Sequence, residues 1–165
     1  MRKTIIATCA AAIVCGSAMA KGGNPFLGNY TTPYGIPPFE QIKVENYKPA
    51  FIKGMEEHKK EIDAIVNNKK TATFENTIAA LDRCGELLNK VASVFYGQNS
   101  ACTSDEMQAV SREISPLLSQ HSDDITMNAA LFKRVKYVYD HQSKEKLEKE
   151  QKKHLEDCIL NKTPS

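Results

Sequence analysis

Three short constellations bring residue types of catalytic or metal-binding value to helical spacing. His58 and Glu61 stand three residues apart within Glu56-Glu57-His58-Lys59-Lys60-Glu61, so a helix would turn both the same way and offer a metal one nitrogen and one oxygen. A di-iron bundle uses Glu-x-x-His in two copies with further glutamates on facing helices. Here the order is reversed and no second copy exists, so His58 reads as a boundary residue beside a solvated charge run. His121, followed by Asp123-Asp124, has the ingredients of an acid/base cluster. It falls on the apolar stripe of a helix, which is the place of a hydrogen-bonded core histidine. His154 and Cys158 are one helical turn apart, two soft-metal ligands where a tetrahedral site needs four. On these grounds no residue is assigned a catalytic, cofactor-binding or metal-ligating role. The chain also has no Gly-rich phosphate loop, no nucleophile elbow and no paired-cysteine zinc motif.

The elements that must position these side chains are helices. Tyr47, Phe51, Met55, His58, Ile62 and Ile65 recur every three or four residues, which predicts a helix entered with Asn46 as cap, Lys48-Pro49 in its first turn, and an end at Asn67-Asn68. A second stripe, Phe74, Ile78, Leu81, Gly85, Leu88, Val91 and Phe95, predicts one long helix capped by Thr73 and fading near Asn99. Thr103-Ser104-Asp105-Glu106 has the form of a capping box opening a third helix on Met107, Val110, Ile114, Leu117, His121 and Ile125, bent at Pro116. Asn128 caps a fourth, with Leu131, Phe132, Val135, Val138 and Tyr139 buried, and Leu147, Leu155 and Ile159 mark a weaker fifth. No stretch alternates with period two, and no fixed repeat of the solenoid kind exists. The expected fold class is all-α: four or five antiparallel helices joined by short turns. Met55 and Met107 on their stripes are explained by core burial rather than by an adaptable peptide groove.

Composition bounds the setting. Residues 1–20 have the form of a signal peptide: Arg2-Lys3, an apolar core from Ile5 to Val14, and Ala18-Met19-Ala20 as the cleavage site. The apolar run is short of the ~20 residues that span a bilayer, and neither Thr8-Cys9 nor Val14-Cys15 sits in a good lipoprotein box. Periplasmic or secreted localisation follows, with no membrane association once the peptide is removed. Cleavage shortens 165 residues to 145 and lowers the basic residues from 22 to 20, equal to the 20 acidic ones. Nucleic acid is excluded as a partner, since its binding needs a concentrated basic face. The run from Lys144 to Lys153 mixes signs as a solvated helix face does. Cys84, Cys102 and Cys158 are read as small apolar residues: on a continuous helix Cys84 and Cys102 would lie about 27 Å apart, beyond the roughly 7 Å a disulfide tolerates.

Residues 21–45 form an extended arm rich in Gly and Pro, in which Pro33, Pro37 and Pro38 forbid a helix. Phe26, Tyr30, Tyr34, Ile36 and Phe39 are expected to pack it along the helices. The helical core is assigned to residues 46–142. Residues 143–165 are expected to be helical only in part and loosely docked, ending in Asn161-Lys162-Thr163-Pro164-Ser165. Asn29-Tyr30-Thr31 and Asn161-Lys162-Thr163 are formal glycosylation triplets of a kind that arises by chance.

Asn24-Pro25-Phe26, Tyr34-Gly35-Ile36-Pro37-Pro38-Phe39, Glu45-Asn46-Tyr47-Lys48-Pro49-Ala50-Phe51, Thr73-Phe74-Glu75-Asn76-Thr77-Ile78, Leu87 to Phe95, Ser115-Pro116 and Leu131-Phe132 together resemble the N-terminal helical region of the peptidyl-dipeptidase branch of the thimet oligopeptidase family. The resemblance covers residues 24–157. It implies a zinc metallopeptidase that releases C-terminal dipeptides from oligopeptide substrates, with this helical layer walling a deep channel. The family's zinc site, a helix bearing His-Glu-x-x-His, has no counterpart at His58, His121, His141 or His154, so no catalytic residue carries over. Cys158 to Ser165 departs from the family pattern. The chain therefore reads as a truncated or frameshifted peptidase product, itself inactive and without a cofactor, the zinc belonging to the intact enzyme. The alternative is a stand-alone helical module of the cell envelope that binds peptides or a protein.

Overall fold

The computed structural model describes residues 23–160. The signal-peptide reading of residues 1–20 and the tail with its Asn161 triplet lie outside them. Among the described residues there are five α-helices of three turns or more and no strand: α1 (Val44–Val66), α2 (Glu86–Ala101), α3 (Asp105–Thr126), α4 (Ala129–His141) and α5 (Lys149–Leu160). The cross-contacts show the relative direction of the first three. Along α1 and α2, Glu61 meets Gly85, Gly54 meets Leu88, Phe51 meets Phe95 and Tyr47 meets Gln98, an antiparallel pair. Lys48 meets Glu113 and His58 meets His121, so α3 returns parallel to α1. The all-α expectation is met.

Several local details differ from the periodicity. Asn46 is not the cap of α1 but its third residue, reaching back so that its Oδ1 accepts from the Lys43 N–H at 2.8 Å. Pro49 accordingly lies in the second turn, where its missing N–H leaves the Glu45 carbonyl without an intrahelical donor. The long second helix is broken. Thr73 and Asn76 cap each other reciprocally, at 3.0 and 3.2 Å, and open a π-turn over Phe74–Ala79 that runs into a short α-turn, Ala80–Asp82. The chain then turns at Gly85, whose φ of 76° is left-handed, and α2 starts afresh. At α3 the cap is Ser104, its hydroxyl accepting from Met107 N–H at 3.3 Å, while the Thr103 hydroxyl donates to Asn99. Leu117 is 44% exposed and Leu118 packs inward in its place, because a four-residue step from Ile114 returns to the buried face. Asn128 caps α4 as its sequence implies, accepting from the Ala130 and Leu131 amides.

Three packed clusters hold the helices. The largest joins Phe26, Tyr47, Phe51, Leu88, Val91, Phe95, Met107 and Ile114. Met107 is core and Met55 packs against it, as burial rather than a groove required. A middle cluster of Ile62, Ile65 and Leu131 joins α1 to α4, and a third, Phe74, Ile78, Val135, Val138 and Leu155, seats α5. Leu155 is fully buried, and Leu147 and Ile159 pack beside it. Polar contacts that a count of apolar anchors omits add to this docking: the Glu145 carboxylate accepts from Phe74 N–H at 3.0 Å, and His154 meets Asp82 at 2.9 Å.

The arm has two single-turn 3-10 segments, Pro25–Leu27 and Pro33–Gly35, and a further turn before α1 in which the Gln41 and Ile42 amides donate to Pro38 O at 2.8 and 3.2 Å. It is pinned at its start. Phe26 is fully buried against the Tyr47 ring, the Asn24 amide donates to Asn46 O at 2.8 Å, and Lys90 Nζ donates to the carbonyls of Phe26 and Gly28 while lying 3.9 Å over the Tyr30 ring. The later aromatics do not pack as expected: Tyr34 is 99% exposed and Ile36 and Phe39 about half, and Pro37 and Phe39 leave a shallow gap beside α2 instead of closing on it.

Arg134 stitches the loop after α1 to the π-turn, donating to Asn68 O at 2.9 Å and to Asn76 Oδ1 at 3.2 Å. Its loss leaves the part-buried Asn68 carbonyl and Asn76 Oδ1 without this donor. Arg134→Met is expected to cost about 1 to 3 kcal/mol, whereas Lys133→Met at an exposed neighbouring position should stay within about 0.5 kcal/mol. Urea titration of both variants checks this.

Candidate functional site

The fold brings together two histidines that lie 63 residues apart in sequence and that the sequence pattern treats separately. His58 Nδ1 on α1 and His121 Nε2 on α3 are 3.1 Å apart, with the rings edge to face at 5.0 Å between centroids. Beneath them the chain breaks at Gly85. A Cβ there would lie 3.0 Å from His58 Nδ1, so the close approach of backbone to ring requires glycine as much as the left-handed φ does. Glu61, one turn beyond His58, accepts the Gly85 N–H at 2.7 Å and thus caps α2 from across the interface. It does not face a metal with His58.

Burial pushes the His58 pKa down, the neighbouring His121 pushes it further, and Glu61 opposes both. His121 is also lowered by burial, opposed by Asp124 and assisted by Lys59. Asp124 is engaged by the Gln120 side chain at 2.8 Å. Burial and the Glu61 charge raise the Cys84 thiol, which makes it a poor nucleophile. His121 is hydrogen-bonded as expected, with His58 as its partner, but it is only partly buried rather than a core residue.

At the other end of the molecule His154 Nε2 sits 2.9 Å from both carboxylate oxygens of Asp82, with Cys158 Sγ at 3.8 Å from the same nitrogen. A thiol–imidazole pair needs the base nitrogen open to the thiol and the other nitrogen held by the carboxylate. Here one nitrogen meets both, so the arrangement is a polar contact that docks α5 and not a nucleophilic site. His141 stacks on Tyr137 at 4.1 Å and contacts its carbonyl through Nδ1. The described residues include no group of three or more His, Cys, Asp or Glu side chains placed to hold a metal ion, and with the histidines so distributed they do not fit a His-Glu-x-x-His zinc centre. No disulfide links Cys84, Cys102 or Cys158; Cys102 is exposed at the end of α2 rather than buried as an apolar residue would be.

Two shallow surface concavities are apolar, whereas a third is lined by the charged Lys53, Glu57, Glu61, Glu86 and Lys90. One of about 460 Å³ runs between the arm and α2, lined by Pro37, Phe39, Val94, Gly97 and Ala101, and another of about 440 Å³ lies over Leu27, Pro49 and Ile52. No described helix is long and apolar enough to cross a membrane.

Comparison with known proteins finds similar sequences over most of this length. No family model matches the chain. The dipeptidyl carboxypeptidase of Escherichia coli (strain K12) is 44% identical over 116 residues, 70% of this chain and 17% of that protein. The Salmonella typhimurium protein of the same name is 42% identical over 116 residues. Oligopeptidase A of Escherichia coli (strain K12) is 26% identical over 136 residues, 82% of this chain and 19% of that protein. The chain thus spans less than a fifth of the length of each of these relatives. Across the matched residues the chain is a homologue of the dipeptidyl carboxypeptidases, with oligopeptidase A as a more distant relative.

Proposed function

We propose that this chain is the helical, non-catalytic portion of an exported zinc metallopeptidase of the thimet oligopeptidase family, one that releases C-terminal dipeptides from oligopeptides. The observation that carries this reading is the 44% identity over 116 residues to a dipeptidyl carboxypeptidase. The unit's contribution is shape: packed helices and a pinned arm that form part of the wall of a substrate channel. Metal binding and water activation are assigned to residues the chain does not supply, since its sequence holds no His-Glu-x-x-His. Export rests on the form of residues 1–20.

Two experiments test this. Replacing the matched segment of the Escherichia coli dipeptidyl carboxypeptidase with this chain's residues should give a soluble enzyme that still releases dipeptides within about tenfold of the parent rate, a change of ~1.4 kcal/mol in barrier. A folded but inert chimera would sink the proposed equivalence. The purified chain alone should leave blocked tripeptides and tetrapeptides intact with and without zinc; chelator-sensitive hydrolysis would overturn its assignment as non-catalytic.

The two apolar concavities favour a second reading, a stand-alone module that binds peptides or a protein. Calorimetric titration with oligopeptides separates the two: saturable binding without turnover supports the module.

A further inference from the structure

The His58–His121 contact has a property that neither the proposed peptidase role nor the docking of helices requires. At 3.1 Å between Nδ1 and Nε2, one nitrogen must donate and the other accept. Two neutral rings satisfy this, and so does one imidazolium with one neutral ring. Two imidazoliums do not: each then presents N–H at that nitrogen, and two hydrogens and two like charges face each other across the gap.

We propose that His58 and His121 form a proton-operated latch between α1 and α3, closed while the pair holds at most one imidazolium and opened when it holds two.

The surroundings fit that role. On α1, Glu61 favours a charged His58, but its carboxylate is committed to the Gly85 amide at 2.7 Å. Lys59, also on α1, disfavours a charged His121. On α3, Asp124 favours a charged His121 and is shared with Gln120. From the break before α2 the Gly85 backbone closes against the His58 ring, and the neighbouring Cys84 has a raised thiol pKa and remains neutral. The remaining influence on both rings is burial, which opposes the second charge. The rings also sit where the largest core cluster gives way to the middle one, so parting them loosens α3 from α1 without unseating α4 and α5.

The sign follows from linkage. Both histidines have pKa values below the ordinary 6.5, so the unfolded chain binds protons that the closed latch does not. The latch's stabilisation is complete above the unfolded value and is lost as pH falls through the folded ones. For each additional proton the open fraction grows about tenfold per pH unit.

Amide hydrogen exchange on the full chain, read from about pH 7.5 to about pH 5, tests this. Protection factors around His58 and His121 should fall by about tenfold per pH unit below ~6.5, while those around Val135 in α4 stay level. His121→Gln keeps a hydrogen-bonding partner for His58 and removes one titrating group, so it should abolish most of that slope; His141 and His154 remain in it as unaltered controls. An unchanged slope in this variant, or none in the wild type, would overturn the latch. Should His121→Gln not fold, His58→Gln and the imidazole NMR titration of the wild type decide the matter. Two coupled midpoints below ~6.5 support the proposal, and independent midpoints at ~6.5 refute it.

Discussion

Phe95→Ala is expected to cost about 3 to 5 kcal/mol, a large part of the 5 to 15 that holds a domain together. Phe95 is fully buried and its ring meets Tyr47 at 5.0 Å, Phe51 at 5.4 Å and Tyr96 at 5.3 Å, all edge-on. Truncation removes the transfer energy of the ring, opens a void among side chains held on two helices, and deletes these aromatic contacts at once. Tyr47 is tethered through its hydroxyl to Gln98, and burial holds its pKa up at about 12, so it has little freedom to refill the space. Tyr96→Ala next door is the control: with that side chain 45% exposed, the cost should stay below about 2 kcal/mol. Guanidinium unfolding of both variants, with near-ultraviolet circular dichroism to follow the aromatic cluster, gives the comparison. Equal losses would show that the cluster is not the keystone of the α1–α2 interface.

Two helical glycines should respond to the same substitution with opposite signs. At Gly54 a Cβ would lie 2.9 Å from Leu88 Cα and 3.0 Å from Leu88 N, backbone atoms of α2 that cannot rotate aside. Gly54→Ala must therefore push the helices apart, at an overpacking cost of about 1 to 3 kcal/mol against a propensity gain of about 1. A bulkier Gly54→Leu has no route around Leu88 and is expected to unfold the unit at ambient temperature. At Gly97, inside α2, no atom lies within 4 Å of the added Cβ. Gly97→Ala should stabilise by about 0.5 to 1 kcal/mol. Thermal melts of the three variants check both signs, and a stabilised Gly54→Ala would mean that the close α1–α2 approach is not maintained in solution.

The apolar periodicity was sufficient to locate α1, α3, α4 and α5, because a helix that packs on one side must repeat every three to four residues whatever it packs against. Asn128 and Thr73 were legible as caps for an equally local reason: their side chains satisfy amides two or three residues ahead. The motif pattern from Asn24 to Phe132 was enough to place the chain among peptidase relatives. What escaped the sequence depended on contacts far along the chain. The break at Gly85 lies on an unbroken apolar stripe, and the reason for it is the His58 ring and the Glu61 carboxylate on another helix. Leu118 replaces Leu117 in the core because the position of α1 selects which side of α3 is covered. Residues 34–39 are aromatic and proline-rich enough to predict packing, yet Tyr34, Ile36 and Phe39 stay exposed, whereas Phe26 and Tyr30 are held by Tyr47 and Lys90, contacts far along the chain. The His58–His121 pair is the clearest case: each histidine is unremarkable within its own helix. Only the parallel return of α3 along α1 puts their nitrogens within hydrogen-bonding distance, and no local pattern encodes a meeting of residues 63 positions apart.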